Sequence, residues 1–173
     1  MIKLFRILIH SIIRARKFNN RCLKKFACEV RNKKILELGS GKKSQEMKYS
    51  YKGFFDNSND FVQSDINKEY EHKVIDATKI DYQNKFDIIL CMNVLEHVFD
   101  FHKAIDNIYK ALVSGGVAII TVPIFYPLHA EPNDYWRFTE YSLRKLLKKF
   151  SRIKIKRYGI RQYPFAYYIE AKK

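Results

Sequence analysis

A short apolar run that ends in an acid and breaks into a double-glycine turn, Lys33-Lys34-Ile35-Leu36-Glu37-Leu38-Gly39-Ser40-Gly41, constrains this chain more than any other stretch. Apolar residues without alternation read as a strand buried on both faces, the kind that parallel sheets contain. Gly39 and Gly41 give access to backbone conformations closed to other residues, and they let a ligand approach the main chain closely. Taken alone the glycine pair is ambiguous, since a plain turn after a strand calls for glycine as readily as a ligand-binding loop does.

A chain of 173 residues is long enough for one domain with a real core, and its 13 Phe and 12 Tyr argue against disorder. The 33 Lys and Arg against 18 Asp and Glu leave a formal charge of +15. Such an excess favours anionic surroundings (nucleic acid, an acidic lipid surface or phosphorylated substrates) without choosing among them. Cys22, Cys28 and Cys91 show neither CxxC spacing nor an even count. They read as reduced thiols of a cytoplasmic protein, with no zinc site and no disulfide framework.

Residues 1–32 read as a basic helical arm ahead of a domain spanning 33–173. From Met1 to Lys17, Lys3, Arg6, His10, Arg14 and Lys17 recur at helical spacing along one stripe. Ile2, Phe5, Leu8, Ile9, Ile12 and Ile13 fill the opposite face, and Leu4 widens it. The segment is too short and too charged to span a bilayer, and it lacks the cleavage site of a signal peptide. Either it covers one face of the domain, or it lies on an anionic membrane, the inner face of the cell envelope included. A nucleic-acid role is a third option. A second short basic helix is expected over Arg21 to Val30.

Beyond the glycine turn the texture alternates between strand and helix. Lys42 to Tyr51 is expected to start a short helix facing the turn. Asp60 to Asp65, His72 to Asp76 and Phe86 to Cys91 read as strands, and Asp100 to Leu112 as a helix that Ser114-Gly115-Gly116 stops. Val117 to Val122 is a fully apolar strand. Thr139 caps a helix over Glu140 to Phe150, and Arg152 to Tyr158 and Phe165 to Ala171 close the chain as strands. The pattern predicts an α/β fold: a Rossmann-like open sheet of about seven strands, mostly parallel with the last strand antiparallel, and helices on both faces. The connections at Ile66 to Glu71 and Ala77 to Lys85 are shorter than a helical crossover, so compressed crossovers are expected there.

Three acids, Glu37, Asp65 and Asp76, fall at or near the carboxyl ends of three successive strands. Open α/β sheets bind ligands at those ends, and an acid at the second strand tip, about two dozen residues after a glycine turn, suits a ribose diol. The turn and the acids together point to an adenosine-bearing ligand.

Three segments narrow that ligand. Phe86-Asp87-Ile88-Ile89-Leu90-Cys91-Met92-Asn93-Val94-Leu95-Glu96-His97-Val98 resembles the fourth-strand motif of class I S-adenosylmethionine-dependent methyltransferases, of the type 11-like kind. Leu112-Val113-Ser114-Gly115-Gly116-Val117-Ala118-Ile119-Ile120 resembles their approach to the fifth strand, and Ile35 to Gly41 their first motif. The likeness covers roughly Lys33 to Tyr158. Pro123 to Thr139, with Pro127, His129, Pro132, Asp134, Tyr135, Arg137 and Phe138 at the motif positions, is similar to a branch whose members often resemble enzymes of surface glycan and small-molecule biosynthesis. The resemblance implies S-adenosylmethionine as cofactor, with Glu37, Gly39, Ser40 and Gly41 around its methionine part. It places Asp65 on the ribose, Ile66 beside the adenine, Asp76 and Ala77 at the adenine amino edge, and Asn93 near the sulfonium. Lys43 departs from the pattern, since a third glycine is common there.

Methyl transfer is largely a matter of in-line positioning, but an oxygen acceptor also needs its proton removed. His129 is the expected base, in the loop after the fifth strand, with Asp134 to orient it or bind a hydroxyl. The plain alternative is that His129 merely orders the loop. Tyr126, Tyr135 and Trp136 are candidates to stack on a sugar or aromatic acceptor, or else to pack the loop on the sheet. Arg137 binds an anionic substrate group or pairs with Asp134. His97 ranks below His129, as a residue bracing the next helix. The spacing of His129, Glu131 and Asp134 is no recognised metal signature, so no metal is expected. The basic residues Arg144, Lys145, Lys148, Lys149, Arg152, Lys154 and Lys156 form a solvated face by default. The leading reading is a methyltransferase acting on a small-molecule or lipid-linked glycan acceptor. The alternatives are a nucleic-acid methyltransferase using the basic face, and a non-catalytic, membrane-associated cofactor-binding protein.

Overall fold

The computed structural model describes residues 2–45 and 50–173, with side chains placed from Ile13 onward. The chain starts with a single helix, α1 (Ile2–Ala27), where two helices were expected. Nothing between Lys17 and Arg21 breaks it, because Phe18, Asn19 and Asn20 include neither glycine nor proline. Ala15, Asn19, Leu23 and Ala27, each four residues apart, form its buried stripe, and Phe18, Cys22 and Phe26 flank it half-buried. From Ile13 onward, therefore, the helix covers a face of the domain. The apolar face read over Ile2 to Ile12 lies outside the described side chains.

The strands are β1 (Lys34–Leu38), β2 (Asp60–Asp65), β3 (Lys73–Val74), β4 (Phe86–Met92), β5 (Leu112–Pro123), β6 (Arg152–Gly159) and β7 (Pro164–Lys172). They form one sheet in the order β3-β2-β1-β4-β5-β7-β6, parallel from β3 to β5, with β7 antiparallel to both β5 and β6. The order reverses direction at β1, between β2 and β4, which opens a crevice at the carboxyl ends of those strands.

The short crossovers are compressed as expected: single helical turns at Lys68–Tyr70 and Ala77–Lys79 stand where full helices would run. The helix expected over Lys42 to Tyr51 appears, among the described residues, only as one turn at Lys43–Gln45, and Glu46 to Tyr49 lie outside the description. Helix α2 (Phe101–Ala111) is capped by Asp100, whose side chain accepts from the Lys103 amide. The glycines do not stop it. Strand β5 starts directly at Leu112, and residues 113–116 bulge out where the register jumps from Phe86↔Leu112 to Ile88↔Val117. Gly115 takes a φ of +78°, and a Cβ on Gly116 would stand 3.0 Å from the Asp87 carbonyl, so these glycines serve the bulge. Helix α3 (Glu140–Leu146) is shorter than predicted, closing in turns before Phe150, and Thr139 caps it in a box with Ser142.

Two cores sandwich the sheet. α2, α3 and one sheet face bury Leu36, Ile89, Leu95, Ile105, Ile108, Leu143 and Ile169. On the other face α1 buries Leu23 and Ala27 against Ile35, Ile88, Leu90, Ile119 and Tyr168. Inward residues from both faces of β1 and β4 explain why those strands read as unbroken apolar runs.

Candidate active site

The crevice at the switch in strand order is a cavity of about 480 Å³. Its floor is Gly39, Gly41, Met92 and Asn93, one wall is Pro123, Phe125, Tyr126 and His129, another is Tyr51, Glu96 and His97, and α1 roofs it with Ile13, Ala15, Arg16 and Asn19. That size is within the range of small-molecule sites. A second cavity of about 360 Å³ sits at the opposite, amino ends of the strands, around Lys33, Asp87 and Gly116.

The glycine turn is built for close approach. Gly39 and Gly41 take φ of +73° and +71°. A Cβ on Gly39 would stand 2.6 Å from Val94 Cγ2. Glu37 is buried beneath the turn and is not among the residues lining this cavity. Its carboxylate accepts from Ser40 Oγ (2.7 Å), Ser50 Oγ (2.6 Å) and the Tyr51 amide (2.7 Å), tying the turn to the segment that forms one wall. Burial pushes its pKa up, against the pull of those hydrogen bonds. Asp65 stands one hydrogen bond behind the cavity lining. One carboxylate oxygen accepts from the Gly41 amide at 3.0 Å and the other from Asn67 at 3.0 Å. Each oxygen keeps a lone pair for a hydroxyl.

Of the other residues implied by the resemblance, Ile66 is exposed at the tip of β2, and Asp76 caps the turn at Ala77–Lys79 by accepting from Thr78. Ala77 is buried, its carbonyl accepting from Asn107. None of these three lines the cavity. Asn93 does, in a left-handed conformation (φ +54°), with its amide donating to the Thr121 carbonyl and its Oδ1 accepting from Thr121 Oγ1. Asparagine adopts that region more readily than most residues, and the two bonds to Thr121 hold it there.

In the loop after β5, Asp134 is the hub. Its side chain is 1% exposed, with Arg137 bound bidentately at 2.6 and 2.8 Å and the His129 amide donating at 3.0 Å. Arg137 holds its carboxyl far below the usual range. Arg137 is thus committed to Asp134. His129 Nδ1 lies 3.1 Å from both Asp134 Oδ2 and the Pro127 carbonyl. A carbonyl can only accept, so the Pro127 contact calls for the ring proton on Nδ1, beside the Asp134 charge, and leaves Nε2 as the other ring nitrogen of that tautomer. The His129 ring meets Tyr126 on one side and His97 on another, each at 4.7 Å between centroids. His97 braces the loop rather than the following helix, through Nδ1 at 2.8 Å from the Asn133 carbonyl, and burial lowers its pKa. Of the aromatic candidates, Tyr126 lines the cavity, whereas Tyr135 and Trp136 pack around Phe99, with Trp136 also against Phe101.

Glu96 lies outside the site residues expected from the sequence. It is fully buried, lines the cavity, and neither carboxylate oxygen has a hydrogen-bond partner among the described residues. Burial raises its pKa to about 8. The signal was an acid inside the apolar run Val94-Leu95-Glu96-His97-Val98. The roof residues Arg16 and Asn19 also went unread, because nothing in the sequence places α1 over the turn. Asn19 is buried, and its Oδ1 has no hydrogen-bond partner among the described residues.

Strand order, switch-point crevice and glycine turn define a class I methyltransferase fold. A family profile described as "Methyltransferase domain" matches residues 10–159, and the chain belongs to that family of S-adenosylmethionine-dependent enzymes. A segment of 66 residues is 35% identical to ubiquinone biosynthesis O-methyltransferases of Psychrobacter cryohalolentis and Psychrobacter arcticus, covering 38% of this chain but only 24% of either relative's length. Among solved structures, phosphoethanolamine N-methyltransferase 2 of Haemonchus contortus, in complex with S-adenosyl-L-methionine, superposes with a TM-score of 0.68 at 16% identity over 91% of this chain and 52% of that one. An S-adenosylmethionine-dependent methyltransferase of Archaeoglobus fulgidus does so with a TM-score of 0.62 at 15% identity, covering 98% and 100%. At such identities the likeness is one of fold. The cavity suits the cofactor on its own evidence: a glycine turn open to close approach, spare acceptor capacity on Asp65, and an Asn19 Oδ1 without a partner among the described residues.

Proposed function

We propose that this chain transfers the methyl group of S-adenosylmethionine to a hydroxyl oxygen of a small-molecule or lipid-linked glycan acceptor, at the cytoplasmic face of an anionic membrane. The observation that carries this reading is the sharing of one cavity by the glycine turn, Asn93 and His129. S-adenosylmethionine supplies an electrophilic methyl on a sulfonium. The turn at Gly39 and Gly41 with Asn93 would hold its amino-acid end, and Asp65 its ribose. Asp76, Ala77 and Ile66 follow toward the adenine on the same edge of the sheet. His129, its Nδ1 on the Pro127 carbonyl with the Asp134 carboxylate beside it, offers Nε2 to the acceptor hydroxyl. Tyr126 beside it gives a sugar or ring a face to stack on. The O-methyltransferase name of the partial relatives favours oxygen. The N-methyltransferase of the same fold shows how freely the acceptor varies on it.

The membrane part rests on α1. No helix among the described residues is long and apolar enough to cross a bilayer. The basic stripe of residues 1–17 nonetheless continues into the segment that roofs the cavity, so a helix lying on lipid would end at the acceptor site. Calorimetry with S-adenosylmethionine and S-adenosylhomocysteine tests the cofactor half, and folded protein that binds neither refutes it. Screening acceptors with labelled methyl donor tests the oxygen half. His129→Ala is expected to slow transfer by about 10²- to 10⁴-fold while S-adenosylhomocysteine affinity stays within about twofold. Sedimentation with anionic vesicles, with and without residues 1–17, tests the membrane half, and equal pelleting removes it.

A further inference from the structure

Glu96 presents an unusual combination: a carboxylate with no exposure, no hydrogen-bond partner on either oxygen among the described residues, and a place on the cavity wall. Two imidazoles lie beside it, and the Arg137 guanidinium and the Asp134 carboxylate are near enough to act on its charge with opposite signs. One ligand atom each from Glu96, His97 and His129 lie within 4.8 Å of one another. A carboxyl so deeply buried and unpaired either keeps its proton or meets a cation.

The histidines are arranged as donors. His97 has Nδ1 on the Asn133 carbonyl at 2.8 Å. His129 has Nδ1 on the Pro127 carbonyl and the Asp134 carboxylate, each at 3.1 Å. Metal-bound histidines commonly have one ring N–H held by a carbonyl or carboxylate, which fixes the tautomer and sharpens the other nitrogen as a donor. Both rings carry that support before any ion is present, and Arg137 in turn fixes Asp134.

We infer that Glu96, His97 and His129 bind a divalent transition-metal cation through two imidazole nitrogens and one carboxylate, inside the cavity that holds the glycine turn. Two histidines and one carboxylate on one side of an ion leave positions open on the other, the arrangement used by non-haem Fe(II) and also suited to Co(II), Ni(II) and Zn(II). Donors about 2.1 Å from an ion sit about 3 to 3.5 Å from one another, so an ångström or so of side-chain adjustment closes the set. The open positions face the space that the Proposed function assigns to the acceptor, and only this role for the ion rests on that reading. An acceptor hydroxyl placed there loses its proton to solvent more readily. Its oxygen then forms the new C–O bond while the breaking C–S bond leaves its electron pair on sulfur. In the metal-bound enzyme Nε2 of His129 is spent on the ion, and the ion replaces it in activating the hydroxyl.

The test is a titration of CoCl₂ into the full chain after chelation, read by visible d–d absorption and by calorimetry. The expected result is saturation at one cobalt per chain. Glu96→Gln and His129→Gln should each abolish the cobalt spectrum. Asp134→Asn, a positioning change, should weaken binding by about 10- to 100-fold. Circular dichroism and S-adenosylhomocysteine calorimetry on the same samples establish that each variant is folded. No saturable binding to the folded wild type overturns the inference, as does a cobalt spectrum that persists in Glu96→Gln and so belongs to other residues. Nucleoside binding without cobalt binding sinks the cation alone. Cobalt binding without nucleoside binding sinks the methyltransferase reading alone and leaves the cation site standing.

Discussion

Replacing Glu37 by glutamine asks whether the glycine turn is held up by a negative charge. All three partners of the carboxylate are placed as donors. The Tyr51 amide is a donor by nature, so the glutamine oxygen must take that side and turn its NH₂ toward Ser40 and Ser50. Ser50 Oγ already accepts from the Lys52 amide at 3.1 Å and from Gln63 Nε2 at 3.0 Å, which uses both its lone pairs. Ser40 Oγ accepts from the Ser64 amide at 3.2 Å and has one lone pair left. The substitution therefore removes two charge-assisted bonds, each worth about 1.5–3 kcal/mol, and returns one weaker bond plus the relief of no longer burying a charge. Because burial raises the Glu37 pKa, the charge is worth less to the fold than those bonds alone suggest, and a net loss of about 1–2 kcal/mol is expected at pH 7, read as a lower urea midpoint at unchanged slope. The pH dependence gives a second readout. Burial raises the Glu37 pKa above its unfolded value, so the native state holds this proton more tightly. The associated stability is complete below the unfolded pKa and is lost as pH rises through the folded one. Glu37→Gln should flatten that part of the profile. A variant as stable as wild type at pH 7, within about 0.5 kcal/mol, would mean that Glu37 is protonated there and that the hydroxyl network runs the other way.

Other consequences are equally direct. Gly39→Ala meets both a left-handed φ and a 2.6 Å contact with Val94, so it should destabilise the fold by about 1–3 kcal/mol and abolish S-adenosylhomocysteine binding in calorimetry. Asp65→Asn should weaken S-adenosylhomocysteine binding by about 10- to 100-fold if the ribose sits there, and an unchanged Kd would remove that assignment. Tyr168 is fully buried with no partner for its hydroxyl among the described residues. Tyr168→Phe should accordingly raise stability by about 1 kcal/mol, seen as a higher Tm. A lower Tm would show that the hydroxyl is satisfied.

What could be read from the sequence follows from where the information sits. β1, β4 and much of β5 are buried on both faces, and their residues state this locally as largely apolar runs, so the crevice beside Gly39 and Gly41 was legible from the residues, and Asn93 from the family resemblance. The acids needed only the strand ends to be found. Features that depend on a distant segment were not legible. The run over Leu112 to Gly116 looks like a helix stop because Gly115 and Gly116 commonly serve that role, yet whether they end a helix or fold a bulge is decided by Asp87 on β4, whose carbonyl stands 3.0 Å from where a Gly116 Cβ would be. Lys42 to Tyr51 carries helix-compatible polarity, but Ser50 and Tyr51 are claimed instead by Glu37, thirteen and fourteen residues earlier in the chain.

The same reasoning explains why the chemistry of the site was only half visible. His129 and Asp134 sit five residues apart in one loop, and their pairing could be anticipated from that loop alone. Glu96 and His97 belong to the turn after β4, more than thirty residues earlier, and they meet His129 because the Glu96 carbonyl accepts the Tyr135 and Trp136 amides at 2.9 and 3.2 Å. Those two backbone bonds dock the loop on the turn and so bring together three ligand atoms that no sequence spacing relates. The tie is also a point of attack. A proline at Tyr135 deletes the shorter of the two amides and leaves the Asp134–Arg137 pair in place. It should loosen the loop without unfolding the sheet, and thereby weaken cobalt binding far more than S-adenosylhomocysteine binding. If both fall together, the loop and the glycine turn act as a single unit, and the acceptor side and the cofactor side of the cavity are not separable.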